Sequence, residues 1–376
     1  MIRHLTLLAL SVASLSLGSL TINAQDKTET PKKYVDATSL RIINKGFDDS
    51  ERVFSRLPKY LQDSVRPDLW DRQQCSSGMG IRFATDSKSI GIRYDLFWNT
   101  HMIHMADTGL KGTDLYILEG DSVWRHVNTN RPYIKKGTEK TCEATYVENL
   151  APGMKEFMVY LPLYDGITSM DIVVDSGAVI TSGNLSIIDR NKKIVAYGTS
   201  ILQGGCASRT GMVSTNIISR DLNCEVVNLG FSGEGKMDFP VARALASIPG
   251  VDCYILDPVP NCTEMMCDTL TYDFVNILRT IRPEVPIVMV EGPIYPYARY
   301  DSNFGEYLPK KNAAFYRNYE RLKAENPENL YYVTSENLDG VEDDGTVDGI
   351  HLTDLGFKYY AEKLTPLLRE ILDKEK

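Results

Sequence analysis

The chain has 376 residues, of which 43% are hydrophobic and 24% are charged, and its formal net charge is −9. This composition is typical of a globular protein and excludes extensive disorder, while the acidic balance argues against nucleic-acid binding. Without its leader the chain keeps about 350 residues, more than one hydrophobic core usually covers, so two domains are expected.

The first 24 residues have the layout of a secretory signal peptide. A basic start at Arg3 precedes an apolar run that ends at Leu20, and the small residue Ala24 follows. A membrane anchor is less favoured, because the run contains several serines and no basic cluster follows it. We therefore expect cleavage after residue 24, a secreted or periplasmic protein, and no stable membrane insertion of the mature chain.

Residues 39–188 have the pattern of an all-β sandwich or jelly roll. Before them, residues 25–38 are polar and lysine-rich, which predicts a flexible lead-in. Apolar and polar residues then alternate in short runs separated by turn residues, as in strands with one buried face. These runs begin at Met79, Ile90, Asp114, Phe157 and Met170.

Two histidines in this half, His101 and His104, invite comparison with a metal site. On a strand, residues three apart point to opposite faces, and no H-E-x-x-H helix is present. We therefore predict no metal and no cofactor. His104 is instead a candidate substrate-binding residue, because its loop leads to the string G-T-D-L-Y at 112–116 and would reach the rim of a pocket.

Residues 189–376 alternate apolar runs with longer amphipathic segments, including 268–281 and 310–325. This alternation predicts a parallel sheet covered by helices on both faces. The five apolar runs begin at Lys193, Glu225, Cys253, Ile287 and Leu330.

The polar residues that follow these runs are expected to meet at the carboxyl edge of the sheet. Ser200, Gly230 and Asn261 follow the first, second and third runs, and His351 comes from the loop after the fifth. Ser200 could simply cap a helix. As a nucleophile it needs a base and a third group that orients the base, and Asp348 stands three residues before His351.

Together these strings resemble the four ordered blocks of the SGNH (GDSL-type) esterase and acylhydrolase superfamily, over residues 190–376. The blocks are G-T-S at Ser200, N-L-G-F-S-G at Gly230, P-V-P-N at Asn261 and D-G-I-H at 348–351. The chain departs from the family by G-T-S in place of G-D-S, and by Cys262 where many members have aspartate. The string G-T-D-L-Y is similar to the GxDLY motif of the N-terminal module in a two-domain branch.

The resemblance implies an α/β fold, with a three-layer α/β/α domain that follows the sandwich. It also implies that Ser200 is the nucleophile, His351 the base and Asp348 its orienting carboxylate. The implied oxyanion hole consists of the N–H groups of Ser200 and Gly230 and the side-chain amide of Asn261. Gly230 could equally be an ordinary turn glycine, and Asn261 could be a cap or an N-x-T glycosylation site.

The two-domain branch implies hydrolysis of O-acyl esters, above all acetyl esters on carbohydrate. Tyr295 and Tyr297 follow the fourth run and could stack on sugar rings, although aromatic loops also occur as ordinary packing. Two alternatives remain open: a lipid-directed lysophospholipase or thioesterase, and a non-catalytic glycan-binding protein. The sequence does not determine the oligomeric state.

Seven cysteines are present, an odd number for an exported chain, and none forms a C-x-x-C pair. Neither a zinc knuckle nor a thioredoxin-type site is therefore indicated. Cys262 and Cys267 could form a disulfide in an oxidising compartment or remain as buried thiols.

Overall fold

The structure is a computed structural model that describes residues 30–120, 122–134, 136–183 and 191–374. The predicted signal peptide lies outside these residues. From Lys32 onward the chain forms one compact unit. No helix in the described ranges is both long and apolar enough to cross a membrane.

The described residues of the first half form strands and two short helices. The strands are β1 (Lys32–Asp36), β2 (Arg41–Ile43), β3 (Gly80–Thr85), β4 (Ile90–Leu96), β5 (Asp114–Glu119), β6 (Val123–Thr129), β7 (Thr141–Val147), β8 (Lys155–Tyr160), β9 (Ile167–Asp175) and β10 (Ile180–Thr181). The helices are α1 (Pro67–Arg72) and α2 (Asp107–Leu110). One antiparallel sheet has the order β1-β9-β4-β7, and the other has the order β10-β3-β8-β5-β6 with β2 paired to β3.

The predicted sandwich is confirmed, with its core between the two sheets. Alternating residues such as Ile92 and Tyr94 on β4 pack against Phe83 and Phe157 from the other sheet. The predicted flexible lead-in at 25–38 needs a correction, because Lys32–Asp36 is strand β1 and pairs with β9. Its polar side chains alternate with partly buried ones at a sheet edge, a pattern that resembles a solvated tail in the sequence.

The second half is a parallel sheet between two layers of helices. Its strands are β11 (Lys193–Gly198), β12 (Glu225–Gly230), β13 (Cys253–Asp257), β14 (Ile287–Val290) and β15 (Leu330–Val333). Its helices are α3 (Ser200–Gln203), α4 (Ser214–Leu222), α5 (Phe239–Ser247), α6 (Glu264–Ile281), α7 (Ser302–Glu325) and α8 (Asp354–Asp373). The strand order is β12-β11-β13-β14-β15, and every pairing is parallel.

Successive side chains of each strand enter opposite cores, which confirms the predicted α/β/α layers. On β11, Val195 and Tyr197 pack with residues of α5, α6 and α7, whereas Ile194 and Ala196 pack with residues of α4 and α8. Because both faces are covered, all four residues of β14 are buried, as the continuous apolar run Ile287–Val290 predicts.

Both predicted helices begin earlier than their amphipathic pattern suggests, because side chains cap them. Thr263 accepts a hydrogen bond from the Met266 N–H at the start of α6. Asp301 accepts from Asn303 and Phe304 at the start of α7, which continues through Pro309.

The string G-T-D-L-Y joins the sandwich to the parallel-sheet half. Asp114 is fully buried at the start of β5. Its Oδ2 accepts hydrogen bonds from Arg209 Nη1 at 2.7 Å and from the Gly211 N–H at 2.8 Å. Arg209 also donates to the Tyr116 hydroxyl at 2.7 Å. The motif therefore anchors the loop that follows α3.

Candidate active site

Ser200 lies on the turn between β11 and α3. β11 ends at Gly198, where a Cβ atom would lie 2.7 Å from the carbonyl oxygen of Asp257, so glycine lets the turn pass the neighbouring strand. Strands β12 and β13 flank β11 on opposite sides, so the strand order reverses here. Ligands of open α/β sheets bind at such a point, outside the carboxyl ends of the strands.

A continuous hydrogen-bond chain joins Ser200 to His351 and Asp348. The Ser200 Oγ lies 3.0 Å from His351 Nε2, and His351 Nδ1 lies 2.8 Å from Asp348 Oδ2. Because Asp348 accepts from the Nδ1–H, the lone pair of Nε2 is directed at the serine hydroxyl. The structure thus brings together the three side chains that the sequence analysis grouped.

Asp348 is held as a carboxylate by its surroundings. Partial burial favours the protonated form, but the His351 ring and the backbone N–H groups of His351 and Ile350 donate to it and bring its pKa below the ordinary value. The backbone bonds are 2.7 Å and 3.0 Å long. An ionised Asp348 can therefore stabilise a positively charged imidazole.

The loop that carries His351 is tied directly to the loop after α3. The Cys206 N–H donates to the Leu352 carbonyl oxygen at 2.8 Å. Asp354 accepts from the Ser208 N–H at 2.8 Å and from the Ser208 hydroxyl at 2.5 Å. These bonds fix the position of the His351 loop, and thus of the imidazole, relative to Ser200.

Asn261 lies after β13 in a 3₁₀ turn, with its amide oriented by one hydrogen bond. Its Oδ1 accepts from the Gly235 N–H at 3.2 Å. The Nδ2 group makes no hydrogen bond with the described residues and is available to a ligand. The cap of α6 is Thr263, so the alternative capping role for Asn261 does not hold.

The structure corrects the prediction for Gly230. Its N–H donates to Asn228 Oδ1 at 3.0 Å and is not available to an oxyanion. A Cβ atom at this position would lie 2.3 Å from the Gln203 nitrogen. Glycine is therefore required here for close packing of α3 on β12.

Gly233, three residues later, has the free donor instead. Its φ is +74°, no atom lies within 4 Å of the position of a Cβ, and its N–H bonds to none of the described residues. Its loop lies on the nucleophile turn, because the Ser232 N–H donates to Gln203 Oε1 at 2.8 Å and a Cβ at Gly235 would be 3.2 Å from the Thr199 nitrogen. In the sequence, this donor could have been identified from the second glycine of the string N-L-G-F-S-G, which is Gly233.

The predicted rim residues have different environments. The His104 ring is exposed, and its centroid lies 5.7 Å from that of His351. Tyr297 is partly exposed and packs over Gly349, whose φ is +87°. Tyr295 is only 6% exposed and stacks beneath Tyr297 with centroids 6.0 Å apart. Little of the Tyr295 ring is open to stacking on a sugar, and its role in substrate binding stays a prediction.

Arg56 is a supporting residue that the sequence analysis missed. Its side chain donates to the carbonyl oxygens of Gly230 at 2.6 Å, Arg72 at 2.7 Å and Cys75 at 2.9 Å. Burial lowers its pKa to about 10. Arg56 forms no ion pair with the described residues, and nothing in the local sequence distinguishes it from a surface arginine.

None of the seven cysteines is in a disulfide, and all are buried. Cys262 and Cys267 are therefore thiols in this structure, one of the two alternatives left open above. Burial and the charge of Asp348 raise the pKa of Cys206 to about 12, so this thiol is protonated at neutral pH. Cys206 is thus a poor nucleophile despite its place beside His351.

Comparisons with known proteins identify the family of this chain. A model of the GDSL-like lipase/acylhydrolase family matches residues 191–369, and a GxDLY model, described as the N-terminus of SGNH-hydrolase-type esterases, matches residues 32–180. A structure described as a GDSL-like lipase from Bacteroides ovatus is 33% identical, with a TM-score of 0.85, and the alignment covers 92% of this chain and 99% of that chain. No match was found among curated proteins.

Two other solved structures share the fold at lower identity. The salicylyl-acyltransferase SsfX3 of a tetracycline biosynthetic pathway is 16% identical, with a TM-score of 0.70, over 90% of this chain and 97% of that chain. An acetyl xylan esterase from the rumen bacterium Butyrivibrio proteoclasticus is 11% identical, with a TM-score of 0.56, over 90% and 99%.

Proposed function

The chain belongs to the GDSL-like lipase/acylhydrolase family and is a carboxylic ester hydrolase, and from this premise we propose that it removes O-acyl groups, above all acetyl, from carbohydrate. The observation that carries the proposal is the hydrogen-bond chain from Asp348 through His351 to Ser200, with distances of 2.8 Å and 3.0 Å. Its geometry matches that of a nucleophile, a base and an orienting carboxylate.

In the proposed reaction, the Ser200 oxygen attacks the ester carbonyl while His351 Nε2 takes the hydroxyl proton. The tetrahedral intermediate collapses to an acyl-serine, and the imidazolium returns the proton to the departing alcohol. Water then attacks the acyl-serine with His351 again as base, which releases the carboxylic acid and restores the serine. Asp348 stays ionised throughout and stabilises the imidazolium.

The negative oxygen of each intermediate needs preorganised donors. We assign this role to the N–H groups of Ser200 and Gly233 and to the Asn261 Nδ2 group. The Ser200 N–H lies in the first turn of α3, and the Asn261 amide is oriented by its bond to Gly235. Such donors stabilise the transition state more than the substrate, because the charge develops only during the reaction.

The surroundings of Ser200 support a polar, carbohydrate-like alcohol. His104 is exposed and Tyr297 partly exposed, so a hydrogen-bonding ring and an aromatic face border the site. A tyrosine ring combines a large apolar face with a polar end, which suits the mixed apolar and hydroxyl surface of a sugar. The acetyl xylan esterase of the same fold acts on this substrate class, which adds to the proposal.

A lipid-directed acylhydrolase is the second candidate, and a specific observation favours it. Ile103, which precedes His104 in the chain, is fully exposed, and Ile350, which precedes His351, is 37% exposed. These apolar side chains could support a longer acyl chain at the site. The substrate panel below separates the two candidates.

We further propose that the protein is exported and that the mature chain has two domains. The first 24 residues support export, and the sandwich, which begins at β1 rather than at residue 39, would form the first domain. Amino-terminal sequencing of the protein from a periplasmic or culture fraction tests this. A protein that keeps residues 1–24 would contradict the proposal.

The decisive experiment assays the wild type and Ser200→Ala on p-nitrophenyl esters of increasing chain length and on acetylated glycans. We expect turnover to fall by roughly 10⁶-fold without loss of folding, because the variant lacks the nucleophile. Ser302→Ala, on the exposed first turn of α7, is the matched control and should keep full activity. Near-normal turnover by Ser200→Ala would refute the nucleophile, and a preference for long chains would favour the lipid candidate.

A further inference from the structure

Two histidines and a cysteine meet beside Ser200. One ligand atom from each of His104, Cys206 and His351 lies within 4.8 Å of the other two. Imidazole and thiolate are preferred zinc ligands, and accessible zinc sites commonly have three protein ligands and one open position. We propose that these three side chains bind Zn²⁺ reversibly and that bound Zn²⁺ inhibits the enzyme. The inhibitory part of this inference rests on the proposed function.

His351 is already arranged as a metal ligand. Its Nδ1 bonds to Asp348 at 2.8 Å, which leaves the Nε2 lone pair directed outward. Metal-binding histidines usually donate their other N–H to a carboxylate in this way, because the bond fixes the ring and increases the basicity of the ligand nitrogen. The same lone pair serves the Ser200 hydroxyl, so a metal ion and the serine proton compete for it.

Cys206 is held next to the imidazole by the backbone. Its N–H donates to the carbonyl oxygen of Leu352, the residue after His351, at 2.8 Å. Cys206 is 8% exposed. On binding, the thiol loses its proton to solvent and the sulfur forms a bond to Zn²⁺, so one proton is released for each ion bound.

His104 closes the cluster from the sandwich side. Its neighbour Met105 is buried and packs in the core that contains Cys206, so the backbone of this loop is fixed. The imidazole itself is exposed and forms no hydrogen bond with the described residues. Zinc–nitrogen bonds of about 2.0 Å and zinc–sulfur bonds of about 2.3 Å require the ligand atoms to approach somewhat, and rotation of the exposed ring allows this.

The sequence offers a matched control three residues away. His101 is on the same loop and is also exposed, but its Nδ1 bonds to Asp107 at 3.0 Å and it is not part of the cluster. Cys224 is a second control, because it is buried in the same half of the molecule, outside the cluster.

The binding test uses Co²⁺ as an optical substitute for Zn²⁺ and needs no turnover. Titration of the whole enzyme should produce the near-ultraviolet charge-transfer band of a cobalt thiolate, and Zn²⁺ should remove it. Cys206→Ser should abolish the band and Cys224→Ser should keep it. No band in the wild-type enzyme, or a band that persists in Cys206→Ser, would overturn the inference.

The inhibition test compares each variant with its own metal-free rate. Zn²⁺ should suppress ester hydrolysis, EDTA should restore it, and the half-inhibitory concentration should rise at least roughly tenfold in His104→Ala but stay unchanged in His101→Ala. Equal inhibition of both variants would contradict the site. A cobalt band together with full activity of Ser200→Ala would leave the metal site intact and refute only the proposed function.

Discussion

The sandwich and the parallel-sheet half organise their polar groups in different ways. In the parallel-sheet half, Ser200, Asn261 and His351 lie in loops at the carboxyl edge of the sheet, with donors and acceptors open to a ligand. In the sandwich, Asp114 and Arg56 are buried and direct their side chains into the other half.

The two halves therefore have different roles in the proposed active site. The parallel-sheet half supplies the reacting groups, and the sandwich holds the loops that carry them. His104 is the exception, because it reaches the site from the sandwich. Substitutions of the reacting groups in the parallel-sheet half should therefore lower the catalytic rate. Substitutions of the supporting residues in the sandwich should lower the stability of the protein.

Asp348→Asn should have the largest effect on rate. The amide cannot hold the imidazole in the required tautomer or stabilise its positive charge, so kcat should fall by roughly 10⁴-fold. Steady-state kinetics on a p-nitrophenyl ester measures this. Asp343→Asn, in the same loop but paired with exposed Arg299, is the control. An unfolded Asp348→Asn would show that the carboxylate is structural and weaken the contrast between the halves.

Asn261→Ala should lower kcat by about 10²- to 10³-fold with little change in KM, because the amide acts on the developing charge. Asn228→Ala is the comparison variant, because it removes an asparagine with a structural role. Asn228 is buried and bonds to Leu202, Thr215 and Gly230, so its loss should lower the unfolding free energy. Thermal melts and kinetics on both variants test the assignment, and an Asn261→Ala enzyme with unchanged kcat would remove Asn261 from the oxyanion hole.

Asp114→Ala should act mainly on stability. It removes the buried acceptor of Arg209 and Gly211, and loss of one member of a buried pair typically costs about 3–5 kcal/mol. Glu119→Ala, which removes an exposed ion pair with Arg125 on the same hairpin, should cost less than about 1 kcal/mol. Urea unfolding measures both. Equal losses would mean that the sandwich does not support the loop after α3.

Asp257→Asn should have the smallest effect on turnover at neutral pH. Its main effect should be on how the unfolding free energy depends on pH. Burial raises the pKa of Asp257 to about 8, and Tyr360 donates to it at 2.9 Å. The folded state thus holds this proton more tightly than the unfolded state, whose pKa is about 3.9. This contribution to stability is complete below about pH 4 and is lost as the pH rises through about 8.

The variant should therefore lose stability less steeply than the wild type between those values. Melting temperatures of both proteins at several pH values provide the measurement. Parallel pH profiles would show that Asp257 is ionised in the folded protein.

The sequence predicts the parts of this molecule that depend on local pattern. All five apolar runs of the second half are strands, because a sheet covered on both faces needs continuous apolar segments such as Ile287–Val290. The order of the polar residues that follow these strands also predicts the meeting of Ser200 and His351, since the carboxyl ends of parallel strands share one edge.

Other features depend on tertiary contacts that leave no local pattern. The sequence does not distinguish Gly230 from Gly233 as an oxyanion donor. Only the hydrogen bond from the Gly230 N–H to Asn228 Oδ1 shows that the Gly230 donor is already used. Tyr295 and Tyr297 are two residues apart, but one ring is in the core and the other borders the site. Cys206 joins His104 and His351 only when both loops are folded.

The contacts of Arg56 have a consequence for how this fold can vary between relatives. Its guanidinium bonds to main-chain oxygens of residues 72, 75 and 230, and every amino acid supplies such an oxygen. The contacts with Arg56 therefore do not restrict which amino acids occupy those positions. Position 56, in contrast, needs a long side chain with several hydrogen-bond donors, as arginine has. A single arginine in one half can thus hold the main chain of the other without itself restricting the amino acids it contacts, although Gly230 is still required for packing against α3.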